Sequence, residues 1–354
     1  MRIDNWKSVA ALVVVMAAYY AVFTEAQAQA DAKAAAVMAD VRKALGGEQK
    51  IAALKGLALR ADYRREMSAG AGGGGTMTFV MMGGGGAAST SQQTTGKMEI
   101  DLDLPNNYLR SDIGSAAFGM TRTEGYEASR PFLEVVPNSP GMRIQVDNPA
   151  SDPARAKVAL KRSQVDLARL YIGLTGGTQP GFAVTYSYGG QAESPDGKAD
   201  IIDVSGPDDF KARLFVDAET HLPLMLSYME PEPRVVTRMV GGPGGRAGGP
   251  GTVVAPGGST AAPAPNAGSG GQNLPPGLTQ EQRDEIAKQM RGAEATPPKL
   301  VEYRLFFSDY RKVDGISLPH RIARGLGSKT TEEWDVTSYK VNPSFKADRF
   351  KVGS

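Results

Sequence analysis

The sequence predicts a mainly β (α+β) fold: a strongly curved antiparallel sheet of about ten strands, with two or three helices plugging its concave face. Three observations carry this expectation. Most of the chain alternates apolar and polar residues with a period of two, the mark of a sheet with one wet face and one dry face. Few segments have helical spacing with caps at their ends. An apolar sheet face that wide cannot be covered flat by so few helices, so it must curl around them.

The first thirty residues are expected to lie outside the fold. MRIDNWKS sets Arg2 and Lys7 before the uncharged run Val9 to Phe23, and EAQAQA brings small residues up to Asp31. That is the layout of a secretory signal peptide, residues 1–30, cleaved after Ala30, which assigns the mature chain to the periplasm; the alternative is an uncleaved anchor, for which the apolar run is short. The mature start, DAKAAAVMADVRKAL, aligns Val37, Val41 and Leu45 on one helical stripe, and Gly46-Gly47 ends it. EQKIAALKG adds a further helical turn or two. A longer helix begins at DPARAKVALKRSQVDLARLYIGL, where Asp152 is a natural N-cap and Pro153 suits the first helical position.

Nearly everything else reads as strand. KMEIDLDLP is the clearest case: Met98, Ile100, Leu102 and Leu104 face one way, Glu99, Asp101 and Asp103 the other. TMTFVMM (Met77, Phe79, Met81), MRIQV, FAVTYSY, FKARLFV, LPLMLSY and LVEYRLFF repeat the pattern. Residues 241–277 hold 13 Gly and 7 Pro, with Arg246 as the sole charge. A stretch of that composition cannot bury enough apolar surface to offset its ordering entropy. It leads into LTQEQRDEIAKQMRG, which predicts a short helix near 279–291 with Thr279 as its cap. The whole of 231–298 reads as a disordered insert between two strands.

Composition narrows the function. The chain has no Cys and a net charge of +2, and removing residues 1–30 takes out two basic and two acidic residues, leaving that charge unchanged. The charges are interspersed, so no nucleic-acid footprint is present. His221 and His320 are the two histidines, each beside a Leu-Pro, and neither belongs to a metal-spaced cluster; both read as solvated loop residues. There is no GxSxG, and the Gly tracts lack the strand and helix context of a phosphate cradle. The acidic row Glu99, Asp101, Asp103 is most simply the solvent face of its strand. No catalytic residue, metal or cofactor is expected, and a hydrolase has little support.

The stretch SDYRKVDGISLPHRI gathers Asp309, Tyr310 and His320, yet its logic is that of a turn. Asp314-Gly315 tolerates the positive φ of a tight hairpin, and Pro319, like Pro223 in FVDAETHLPLML, marks a strand start, a bulge or a free edge.

Together the leader, KALGGEQKIAALKGL, LDLPNNYLRSD, LFVDAETHLPL, FSDYRKVDGISLPHRI and the closing TTEEWDVTSYKVNPSFKADRFKV resemble the LolA-like outer-membrane lipoprotein-sorting superfamily. The similarity covers residues 31–230 and 299–354. It implies an unclosed, strongly bent antiparallel β-barrel with helices as a lid over a hydrophobic cavity. It also implies a non-enzymatic carrier whose partner is a lipid or an acylated lipoprotein. Where the carriers have an Arg before Pro-Asn, this chain has Leu104. Same-face sets then nominate the lining: Phe79 and Met81, Met98, Ile100 and Leu102, and Leu224 and Leu226. The alternative is an envelope interaction or stress-sensor module that recruits a protein partner through 231–298.

Overall fold

The computed structural model describes residues 29–67, 92–114, 120–138, 148–195, 197–232, 235–236, 253–254 and 299–352. Most of the expected leader, the strands expected around Met77–Met82 and Met142–Val146, and the helix expected near 279–291 lie outside them.

Twelve strands form one antiparallel sheet. Helices α1 (29–45) and α2 (Glu48–Ala52) precede β1 (Gly56–Met67). Then come β2 (Gln92–Asp103), β3 (Asn107–Gly114), β4 (Met120–Glu127) and β5 (Arg130–Pro137). Helix α3 (Pro153–Thr175) follows, then β6 (Thr185–Ser194), β7 (Gly197–Ser205), β8 (Lys211–Asp217) and β9 (Pro223–Pro231). A separate two-residue pair, β10 (Val235–Val236) and β11 (Val253–Val254), stands before β12 (Leu300–Val313), β13 (Ile316–Leu326) and β14 (Lys329–Val341). The order β5-β4-β3-β2-β1-β14-β13-β12-β9-β8-β7-β6 joins two meanders along the seam where β1 meets β14. β5 and β6 are the free edges, so the barrel is not closed, and α3 links them in sequence.

The sheet has twelve strands where about ten were expected. At β3 and β4 the inward positions include Arg110, Asp112, Arg122 and Glu124, so the apolar alternation that marks a strand is broken there. The curvature is visible in what α3 touches. β4 and β9 are seven strand spacings apart, roughly 34 Å in a flat sheet. Yet Glu124 of β4 and Tyr228 of β9 line one small cavity beside α3.

Asp152 caps α3 as expected: its carboxylate accepts from the N–H groups of Ala154 (2.8 Å) and Arg155 (3.3 Å), with Pro153 next. Gly176 ends the helix at φ 59°. Every residue from Leu167 to Thr175 is buried, so the C-terminal half of α3 is a plug enclosed on all sides. α1 adds Ala34, Val37, Met38, Val41 and Leu45 to the same core. At Gly173 a Cβ would fall 2.0 Å from the ring of Phe307, itself buried on β12. Gly173→Ala is therefore expected to destabilise by about 1–3 kcal/mol through overpacking, despite alanine's better helix propensity. A urea titration of the variant checks this.

The hairpin between β12 and β13 has the expected turn: Val313 pairs with Ile316 across Asp314 (φ 51°) and Gly315 (φ 81°). Pro319 is tolerated within β13 because the β13–β14 ladder begins only at Arg321. Pro223 opens β9.

One reading is corrected. Asp101 does not face solvent; it is fully buried. The C-terminal segment after β14 folds back over the outer face of β2 and β3, where Phe350 packs with Leu109 and Phe132. Arg349 then reaches Asp101 and Glu99, and Arg60 holds Asp101 from the other side at 2.6 Å.

Candidate functional site

The concave face has an apolar floor and a charged belt. Met98, Ile100 and Leu102 of β2 are buried in the core with Leu57 and Leu59 of β1, and of the three Ile100 borders the small cavity described below. Leu226 of β9 is also fully buried. Leu224 departs from the expected same-face pair. Phe215 pairs with Met225 and Val216 with Pro223, so Leu224 stands unmatched in a bulge and is 39% exposed. Phe79 and Met81 lie outside the described residues.

The belt comes from charged residues in phase with apolar neighbours. Arg65 follows Ala61 and Tyr63 on the inner side of β1, and Arg110 and Asp112 follow Tyr108 on β3. Arg324 follows Ile322 on β13, Glu332 precedes Trp334 on β14, and Arg169 sits within the buried half of α3. Two networks result. In the first, Glu332 accepts from Arg65 (3.0 Å), Arg110 (3.1 Å) and the Trp334 indole (2.8 Å). Asp112 accepts from the same two guanidinium groups, at 2.9 Å and 3.0 Å. Burial pushes both carboxyls up, but the two arginines outweigh it and hold each below the usual carboxylate range.

The second network holds three arginines against two carboxylates. Arg169 donates to Glu230 and to Asp166 (3.4 Å), Arg324 lies 4.0 Å from Glu230, and Arg162 lies 4.0 Å from Asp166. Arg324 also donates to the Tyr228 hydroxyl at 3.1 Å. The Arg169 guanidinium lies 3.7 Å over the Tyr228 ring, which stacks in turn on Tyr303. Burial raises the Tyr228 hydroxyl pKa, so it stays a neutral donor and acceptor.

Two recesses open here. A cavity of about 50 Å³ is walled by Ile100, Arg110, Glu124, Arg169, Arg324 and Trp334, among others. A groove of about 740 Å³ runs along α3 over β7, β8, β9 and β12, with Val165, Val204, Phe210, Ala212, Met229 and Leu300 in its walls. The recesses share Arg169 and Tyr228. Among the described residues no His, Cys, Asp and Glu side chains converge as metal ligands would. His320 lies within β13 rather than in a loop, edge-on to Tyr339, and its Nδ1 is 3.1 Å from the Leu318 carbonyl. His221 sits at φ 58° in the turn before β9. That turn is held by Asp217, which accepts from Thr220 and Glu219.

No family model and no curated protein matches the chain. Solved structures do. One is a LolA superfamily protein from Nitrosomonas europaea, 8% identical at a TM-score of 0.40, with 90% of this chain and 96% of that one covered. The chain is similar to LolA-superfamily structures. A DUF1329 family protein from Desulfovibrio piger gives 10% identity and a TM-score of 0.41, over 90% and 96% of the two chains. A domain from Vibrio parahaemolyticus assigned to outer-membrane lipoprotein sorting gives 9% and 0.40, over 88% and 94%.

The curved antiparallel sheet was anticipated from the residues; the charged belt was not. The available signal was a set of arginines and acids occupying inward positions, as in YLRSD, DLARLY and EEW, where a half-dry sheet calls for apolar residues.

Proposed function

We propose that this chain is a non-catalytic periplasmic binding or carrier protein for an amphiphile, either a lipid or the acyl chain of a lipoprotein. The observation that carries this reading is the groove of about 740 Å³ beside α3, where Val165, Val204, Phe210, Ala212, Met229 and Leu300 stand among charged residues such as Lys161, Asp203, Lys211 and Arg213. An acyl chain laid along it gains about 0.8 kcal/mol per buried CH₂. Residues 1–30 then serve as the export signal, and 31–230 with 299–354 form the binding domain. Organic extraction of the purified chain followed by mass spectrometry is expected to release lipid at near one molecule per chain; clean protein after gentle purification would count against the reading. Ala212 lies in the groove wall opposite Val204. Ala212→Trp is expected to fill the groove and weaken lipid binding about tenfold or more, with the circular-dichroism spectrum unchanged.

A second reading, an envelope interaction or stress-sensor module, is favoured by exposed Leu224, Met229, Leu300 and Phe306 on the neighbouring strands β9 and β12. Phe306→Glu separates the two: lipid content stays intact under the first reading, whereas partner association is lost under the second.

A further inference from the structure

The small cavity differs in chemistry from the groove beside it. Its walls carry four arginines, Arg110, Arg162, Arg169 and Arg324, against two carboxylates, Glu124 and Asp166. Arg110 shares Asp112 and Glu332 with Arg65, and Glu124 is held by Arg122, so the excess positive charge lies among Arg162, Arg169 and Arg324, which face Asp166 and Glu230. The Arg169 side chain is 7% exposed, and the Nε atoms of both Arg169 and Arg324 are buried without a hydrogen-bond partner among the described residues. Buried guanidinium donors are costly to leave unsatisfied, and a planar or tetrahedral oxyanion is the acceptor their fork geometry fits. The volume of about 50 Å³ corresponds to on the order of three or four waters, room for a carboxylate or phosphate group but not for a chain.

We propose that this cavity is an anion site that takes the carboxylate or phosphate end of the bound amphiphile, head first, while its chain lies in the groove on the far side of Arg169 and Tyr228. This deepens the binding reading above and rests on it. Arg169 and Arg324 supply the charge-assisted donors, the Tyr228 hydroxyl adds a neutral one, and Ile100 and Leu305 exclude water around them.

Trp334 lines the cavity, and once residues 1–30 are removed as the export signal it is the one tryptophan left of the chain's two. Its fluorescence is the readout for titrations with palmitate, lysophosphatidate, hexadecanol and inorganic phosphate. Palmitate or lysophosphatidate is expected to bind about tenfold or more tightly than hexadecanol, and whichever is tighter names the head group. The double variant Arg169→Met, Glu230→Gln removes opposite charges together and leaves Arg324 the neutral Gln amide and the Tyr228 hydroxyl as acceptors. It is expected to bring the acid and the alcohol to within about threefold, with hexadecanol affinity unchanged. Arg162→Gln, on the half-exposed rim, is expected to lower palmitate affinity about threefold without unfolding the chain.

Hexadecanol binding as tightly as both palmitate and lysophosphatidate in the parent overturns the head-group site and spares the binding reading. Binding of neither, by protein that is folded, overturns both. Inorganic phosphate binding as tightly as lysophosphatidate also overturns the assignment, since the site would then take a free anion.

Discussion

Asp101→Ala lowers stability by about 1–3 kcal/mol, the expected cost of removing a buried charged acceptor whose arginine partners are part-exposed. Asp101 is fully buried on the outer face of β2, with Arg60 on one side and Arg349 on the other. Its loss leaves Arg60 and Arg349, each about one-third exposed, with Glu99 as their remaining shared carboxylate. It also frees the C-terminal segment, because Arg349 is the polar anchor beside the small cluster of Phe350, Leu109 and Phe132. Asp101→Asn keeps the shape and loses the charge, so it is expected to fall between parent and alanine variant. Urea unfolding of the three proteins checks the order, and limited proteolysis checks release of the tail. A variant as stable as the parent would mean that the tail does not close over β2.

The second large effect is at Glu332, where one carboxylate serves Arg65, Arg110 and the Trp334 indole. Glu332→Ala is expected to cost about 3–5 kcal/mol. The same network sets the acid response. Glu332 and Asp112 are both held below their ordinary values by Arg65 and Arg110 against the push of burial. For such depressed groups the stabilisation is fully present above the unfolded-state value of about 4 and is lost as pH falls through the folded-state value. The urea midpoint is therefore expected to be flat between about pH 5 and 7 and to drop steeply below about 4. In Glu332→Gln the plateau is lower and the acid slope shallower.

How much of this could be read in advance follows from the range of the interactions. The cap at Asp152, the Asp314-Gly315 turn and the alternation of Met98, Ile100 and Leu102 are local, and local spacing reveals them. The burial of Asp101 depends on Arg349, 248 residues further along the chain. No periodicity within β2 announces that partner. The bulge at Leu224 is likewise set by the neighbouring strand, where β8 pairs past it. The charged belt draws on β1, β3, α3, β9, β13 and β14, and each charge alone resembles a solvent-facing residue. Together they occupy the inner side of a barrel whose free edges are connected through a helix, and only the assembled sheet brings them together.

The central claim is that the groove beside α3 holds the chain of an amphiphile. Titration of the purified, delipidated protein with a fluorescent fatty acid tests it most directly. The account predicts saturable one-to-one binding, displaced by unlabelled palmitate and weakened about tenfold or more in Ala212→Trp. Absence of saturable binding by folded protein, or equal binding in Ala212→Trp, would contradict it.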